Sequence, residues 1–87
     1  MNIFTASNVT ITQNKKTYEK IVLTDEDVIK ILNACHIGRH NHLNWVKPNV
    51  RLSKSAAFVR DCARRGDALV IMTENKGVKQ AEIFVRA

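Results

Sequence analysis

Four potential donors fall within eight residues, Cys35, His36, His40 and His42, and this is the densest set of ligating or nucleophilic side chains in the chain. On a helix, His36 and His40 would share a face at i, i+4 and could offer two imidazoles to one metal ion. Two features weigh against that. Structural zinc sites draw on two separated ligand pairs, whereas adjacent Cys35 and His36 point in different directions, and Gly38 interrupts a helix between His36 and His40. A Cys/His nucleophile pair built on Cys35 or Cys62 would need an accessible thiolate, yet both cysteines sit on apolar helical spacings, where small buried hydrophobes are usual. Asp25, Glu26 and Asp27 are explained as acids at a helix start, and three glycines leave no glycine-rich phosphate loop. These residues predict no enzyme, no metal and no cofactor. Loop histidines close to phosphate remain as the expectation, with protonation at lower pH strengthening an anion contact.

The cations carry the stronger signal. Between His36 and Gly66 stand Arg39, Lys47, Arg51, Lys54, Arg60, Arg64 and Arg65 against the single acid Asp61, a net charge of +6 that equals that of the whole chain. Clustered positive charge attracts phosphate polyanions through counterion release, with acidic proteins as the rival partners. Two cysteines build no disulfide framework. With no charged, apolar leader and no apolar run approaching ~20 residues, the expectation is a cytoplasmic protein with no membrane contact.

Eighty-seven residues, 45% hydrophobic and 25% charged, predict a single small folded domain over 1–87. Residues 1–23 read as N-terminal strands: Asn8-Val-Thr-Ile-Thr12 alternates, Tyr18-Glu-Lys-Ile-Val-Leu23 is a second candidate, and Gln13-Asn-Lys-Lys16 has turn-type polarity. Residues 24–66 form a helical region. Thr24 caps a helix whose apolar face is Val28, Ile31, Leu32 and Cys35, with Gly38 as its stop. Residues 39–47 predict a helical turn placing Leu43 and Val46 inward, and Pro48 biases Lys47 out of helical geometry. Ser53 or Ser55 caps a further helix reaching Arg65 and ended by Gly66, with Phe58, Val59, Cys62 and Ala63 buried. Residues 67–87 read as a β-hairpin turning at Glu74-Asn-Lys-Gly77. Trp45 is expected to be partly buried. Phe4, Tyr18, Phe58 and Phe84 do not gather into a platform for stacking single-stranded bases.

The run from Ser53 through Arg64-Arg65-Gly66 into Leu69-Val-Ile-Met72, a polar turn and the returning Ala81-Glu-Ile-Phe-Val85 resembles the last helix and wing of winged helix-turn-helix DNA-binding domains. Residues 53–86 carry the resemblance, with residues 24–35 as the first helix. Residues 39–52 depart from it, having Pro48, three Asn and two His where that family has a second helix. The resemblance implies an α+β, winged-helix-like fold with N-terminal short strands, two or three helices and a C-terminal hairpin. It also implies recognition by Arg60 and Arg64 and wing contacts by Lys76 and Lys79. Size and style are similar to small phage or mobile-element accessory proteins.

The combined expectation is a non-enzymatic duplex-DNA-binding regulator or accessory protein. Its contacts would come from Arg51, Lys54, Ser55, Arg60, Arg64, Arg65, Lys76 and Lys79, with the amides at the helix start able to hold a phosphate oxygen. Two alternatives stay open. The cations would simply solvate an exposed helix, or the chain is a protein-interaction module, such as a phage-encoded inhibitor or adaptor docking on an acidic host-protein surface. An N-terminal strand edge would also allow a homodimer.

Overall fold

The computed structural model describes residues 5–47 and 49–86. Pro48, the expected helix breaker, and Phe4, weighed above as a stacking aromatic, lie outside them, as do the first three residues of the expected N-terminal strands. Strands β1 (Thr5–Gln13) and β2 (Lys16–Ile21) form an antiparallel hairpin. Its two-residue turn, Asn14-Lys15, has φ of 53° and 65°, the left-handed pair that matches the twist of flanking strands. Between Ala6 and Thr10 the first strand advances four residues while its partner advances one, so residues 7–9 bulge out of the ladder.

Helix α1 (Asp25–Ala34) starts as expected: the Thr24 hydroxyl accepts the Asp27 amide at 3.2 Å, with three acids in the first turn. It ends four residues earlier than Gly38. The Val46 and Lys47 amides donate to the Ala34 carbonyl at 2.9 and 3.3 Å. Cys35–Ile37 leaves the helix as strand β3, paired antiparallel with β4 (Leu43–Trp45). A tertiary partner for a helix-end carbonyl, rather than the glycine, sets the boundary. At Gly38 a Cβ would meet only the amide end of the exposed Asn44 side chain, which can turn aside, so the backbone there does not require glycine.

A 3-10 helical turn (Arg39–Asn41) joins β3 to β4, with His40 and Asn41 left-handed at φ 58° and 63°. Leu43 is buried as expected, but Val46 is 61% exposed, because this stretch is extended and alternates instead of following a helical face. Helix α2 (Lys54–Arg64) is capped by Ser53, whose hydroxyl accepts the Ala56 amide at 3.2 Å. It closes in a Schellman arrangement, with Gly66 N–H to Ala63 O, Asp67 N–H to Cys62 O and Gly66 at φ 76°. Strands β5 (Ala68–Asn75) and β6 (Val78–Arg86) then pair in unbroken register around Lys76-Gly77.

The four long strands make one curled antiparallel sheet in the order β1-β2-β6-β5. Ile21, Val70, Ile83 and Val85 pack with Ile31, Leu43, Val59 and Cys62 beneath the helices. Tyr18, Leu69 and Phe84 form a second buried cluster with Ile11 and Ile71. In register they alternate with the helix-facing residues, so they occupy the opposite face. The 3-10 turn and the residue after it meet this second face. His42 bridges to Leu69 and sets its ring edge-on to Tyr18 at 6.5 Å, while the Gln13 side chain donates to the His40 carbonyl at 3.0 Å. The two edge strands are thus stitched together through residues 40–42.

This architecture corrects the winged-helix expectation. Strand exceeds helix, and only two α-helices form among the described residues. The position of the expected second helix holds the 3-10 turn and β4. The C-terminal hairpin is not a free wing, because the end of β6 pairs with β2 inside the sheet. No helix of the described residues is long and apolar enough to cross a membrane.

Candidate nucleic-acid interface

The eight expected contact residues do not form one platform. Lys54 and Arg64 are exposed on α2, but the exposed Asp61 shares their outward side. Arg60 turns onto that acid at 3.3 Å. Arg65 lies 3.4 Å from the Asp67 carboxylate and 3.4 Å from Cys62 Sγ. Ser55 is half-buried, and Ser53 is the cap. The start of α2 already faces an acid, since the Ser53 hydroxyl donates to the Asp27 carboxylate at 3.0 Å. Arg51 sits beside the same acidic helix start, its carbonyl accepting Lys30 Nζ. Lys76 and Lys79 are at the far end of the hairpin: seven residue steps from Ala68 to Asn75 span about 23 Å of strand. Lys79 also stands opposite Glu74. The expected set is thus divided between the end of α2, with Arg64 and Arg65, the start of α2, with Arg51, Lys54 and Ser55, and the hairpin tip, with Lys76 and Lys79.

A different set of cations does converge, at the opposite end of the sheet from the Lys76-Gly77 turn. Lys15 and Lys16 belong to the β1–β2 turn. The Gln13 side chain ties that turn to His40, next to Arg39. Arg86 ends β6 opposite Tyr18, and its amide donates to the Asp67 carbonyl at 2.8 Å. Asp67 in turn holds Arg65, one residue after Arg64. Lys15, Lys16, Arg39, His40, Arg64, Arg65 and Arg86 are all exposed. Asp67 is the one carboxylate in these four segments. Lys15, Lys16, Arg39, Arg64 and Arg86 have no ion-pair partner among the described residues. Like charges gathered without counter-charges repel one another, and a bound polyanion relieves that repulsion.

No family model, curated protein or solved structure matches this chain. Function therefore has to be read from the site itself. Among the described residues the cationic end exposes no Phe, Tyr or Trp ring. Tyr18 and Phe84 are buried, and Trp45, away on β4, is half-buried with its indole N–H bound to the Lys47 carbonyl at 2.7 Å. Exposed arginines and lysines are suited to phosphate contacts, which position a nucleic acid without reading its sequence, and a stacking platform for single-stranded bases would need several exposed aromatics beside them.

The other chemically capable residues are explained locally. Burial pushes the Cys35 thiol up to about 11. Burial also raises that of Cys62, with Arg65 partly opposing it. Neither is a thiolate at neutral pH, so neither is an activated nucleophile. His36 is exposed on β3, and His42 is half-buried, with Nδ1 3.1 Å from the Arg39 carbonyl. Among the described residues no group of three or more His, Cys, Asp or Glu could hold a metal ion. Lys15, Lys16 and Arg86 lie outside the expected contact set, as do Arg39, counted in the basic segment, and His40, weighed as a loop histidine near phosphate. The two-residue turn at Asn14-Lys15 was the one local sign of a projecting basic tip.

Proposed function

We propose that the protein binds nucleic acid, with duplex DNA as the favoured form, as a non-enzymatic regulator or accessory factor. The grip is electrostatic: Lys15, Lys16, Arg39, Arg64 and Arg86 meet phosphates, and His40 adds charge when protonated. The observation that supports this reading is the convergence of five unpaired cations from four chain segments around one internally satisfied acid. The contact needs no cofactor, and the reading places the protein in the cytoplasm, where its two thiols stay reduced.

Fluorescence anisotropy on random-sequence duplex DNA tests it. With five phosphate contacts, affinity should drop roughly several-hundred-fold between about 50 and 200 mM salt. Sequence should matter little, because phosphates carry no base identity. Absence of binding at the lower salt, or binding indifferent to salt, overturns the proposal. Absence of binding together with stoichiometric capture of an acidic protein would favour the protein-docking alternative.

A further inference from the structure

The opposite end of the sheet carries an apolar groove of about 750 Å³. It opens because β6 pairs with β5 along nearly its whole length but with β2 over only Phe84–Arg86. Beyond that point β2 and β6 diverge, and the first two turns of α1 line the space between them. Seven large apolar side chains are exposed among the described residues, and five of them, Val9, Val22, Ile29, Met72 and Val78, line this groove at 37% to 64% exposure. Scattered exposed apolar residues are ordinary, whereas five gathered in one concavity mark a contact surface. From Val78 to Ile83 the β6 edge beside the groove has no strand partner among the described residues, so its backbone donors and acceptors can pair with an added strand.

Two observations identify the occupant. First, the hairpin arm projects: residues 74–80 are all exposed, and residues 74–79 pair only with one another. The arm carries Met72 and Val78 on its flanks, so one molecule presents both an apolar arm and an apolar groove, the self-complementarity an isologous interface requires. Second, the charges match. The arm bears Lys76 and Lys79, and of the three acids in the first turn of α1 Asp25 lines the groove. Glu26 is engaged by Lys30 at 3.3 Å and Asp27 by Ser53 at 3.0 Å. Asp25 lines the groove with no ion-pair partner among the described residues, as does Lys79.

We propose that the groove is filled by the hairpin arm of a second copy of this chain, giving a two-fold dimer by reciprocal arm exchange. In it, Met72 and Val78 of each copy cover the mate's Val22 and Ile29, the arm lies along the mate's open β6 edge, and Lys76 approaches the mate's Asp25. The inference does not rest on the nucleic-acid reading, but it is compatible with it: the cationic ends stay outside the interface, so the dimer displays two of them.

Sedimentation equilibrium of the full chain, from micromolar to millimolar concentration, tests the proposal. The expected species has twice the 9.9 kDa chain mass. Ile29→Lys and Met72→Lys, at side chains 59% and 57% exposed in the protomer, should each weaken self-association at least about tenfold without lowering the thermal melt measured at concentrations where the chain is monomeric. Asp25→Lys should weaken it too, and adding Lys76→Asp should restore it. A chain that stays monomeric throughout, a dimer indifferent to Ile29→Lys and Met72→Lys, or a monomer whose groove instead takes up an unrelated protein would each overturn it. DNA binding by a dimerisation-defective variant would not bear on the dimer, so the two readings can fail separately.

Discussion

The two ends of the curled sheet differ in how their exposed side chains are balanced. At the end built from the β1–β2 turn, the 3-10 turn and the end of β6, five cations have no ion-pair partner among the described residues, and Tyr18 and Phe84 lie buried. At the end of the Lys76-Gly77 turn, Lys79 faces Glu74, Lys20 pairs with Glu82 at 3.8 Å, and apolar side chains are exposed. One end is organised for a long-range, screened attraction to a polyanion, and the other for short-range burial against a shaped partner. Net charge alone does not separate them, since both ends contain lysines. The exposed apolar side chains do, together with the Glu74 and Glu82 carboxylates carried by the second end, although Lys76 and Lys79 form no ion pair among the described residues. Neighbouring carboxylates explain why α2, the most basic helix of the chain, is the weaker candidate: Asp61 and Asp67 answer two of its arginines.

Truncations along β5 should sharpen this contrast. Leu69 is fully buried against Tyr18 and Phe84 and bridges to His42. Leu69→Ala should destabilise by about 2–5 kcal/mol in urea denaturation, and it should also weaken DNA binding by loosening the 3-10 turn that holds Arg39. Three residues on, Met72→Ala should change protomer stability by no more than about 0.5 kcal/mol, being a surface change, while weakening self-association. Comparable stability losses at both positions would break the distinction between ends.

Ser53→Ala is the next in size. It removes the α2 cap and the link to Asp27, and should lower stability by about 1 kcal/mol with DNA affinity unchanged, because it lies on the acidic side. A further effect is alkaline. The folded Cys35 thiol holds its proton up to about 11, against an ordinary value of 9.0, so in that window the unfolded chain binds fewer protons. Stability should therefore fall as pH rises from about 9 toward 11, a decline that Cys35→Ala should flatten in pH-dependent melts.

What could be read from residues alone followed how local each signal was. Thr24 and Ser53 cap helices through an amide three residues away, and the Schellman close at Gly66 is equally local. Those boundaries were legible, as was the hairpin around Lys76-Gly77. The end of α1 was not, because the groups that satisfy Ala34 come from Val46 and Lys47, twelve and thirteen residues on. Phe84 sits on the hairpin side that otherwise carries Gln80, Glu82 and Arg86. Its burial depends on Tyr18, a partner from the other hairpin. The cationic end was hidden for the same reason. Lys15, Arg39, Arg65 and Arg86 lie far apart in sequence, and only the strand order β1-β2-β6-β5 and the bond from Gln13 to His40 gather them. A charge count along the chain favoured the helix instead, because it cannot register which guanidinium groups find carboxylates.

The most direct test compares the salt dependence of duplex-DNA affinity for two neutralised variants of equal fold. Lys15→Asn/Arg39→Gln/Arg86→Gln strips the cationic end, with Asn chosen because it tolerates the left-handed backbone at that position. Lys76→Asn/Lys79→Gln strips the hairpin tip. The expected result is a slope of log affinity against log salt lowered by about 3 in the first variant and unchanged in the second. A slope that falls with the tip variant, or survives intact in the first, would contradict the assignment of phosphate contacts to the Lys15–Arg39–Arg86 end.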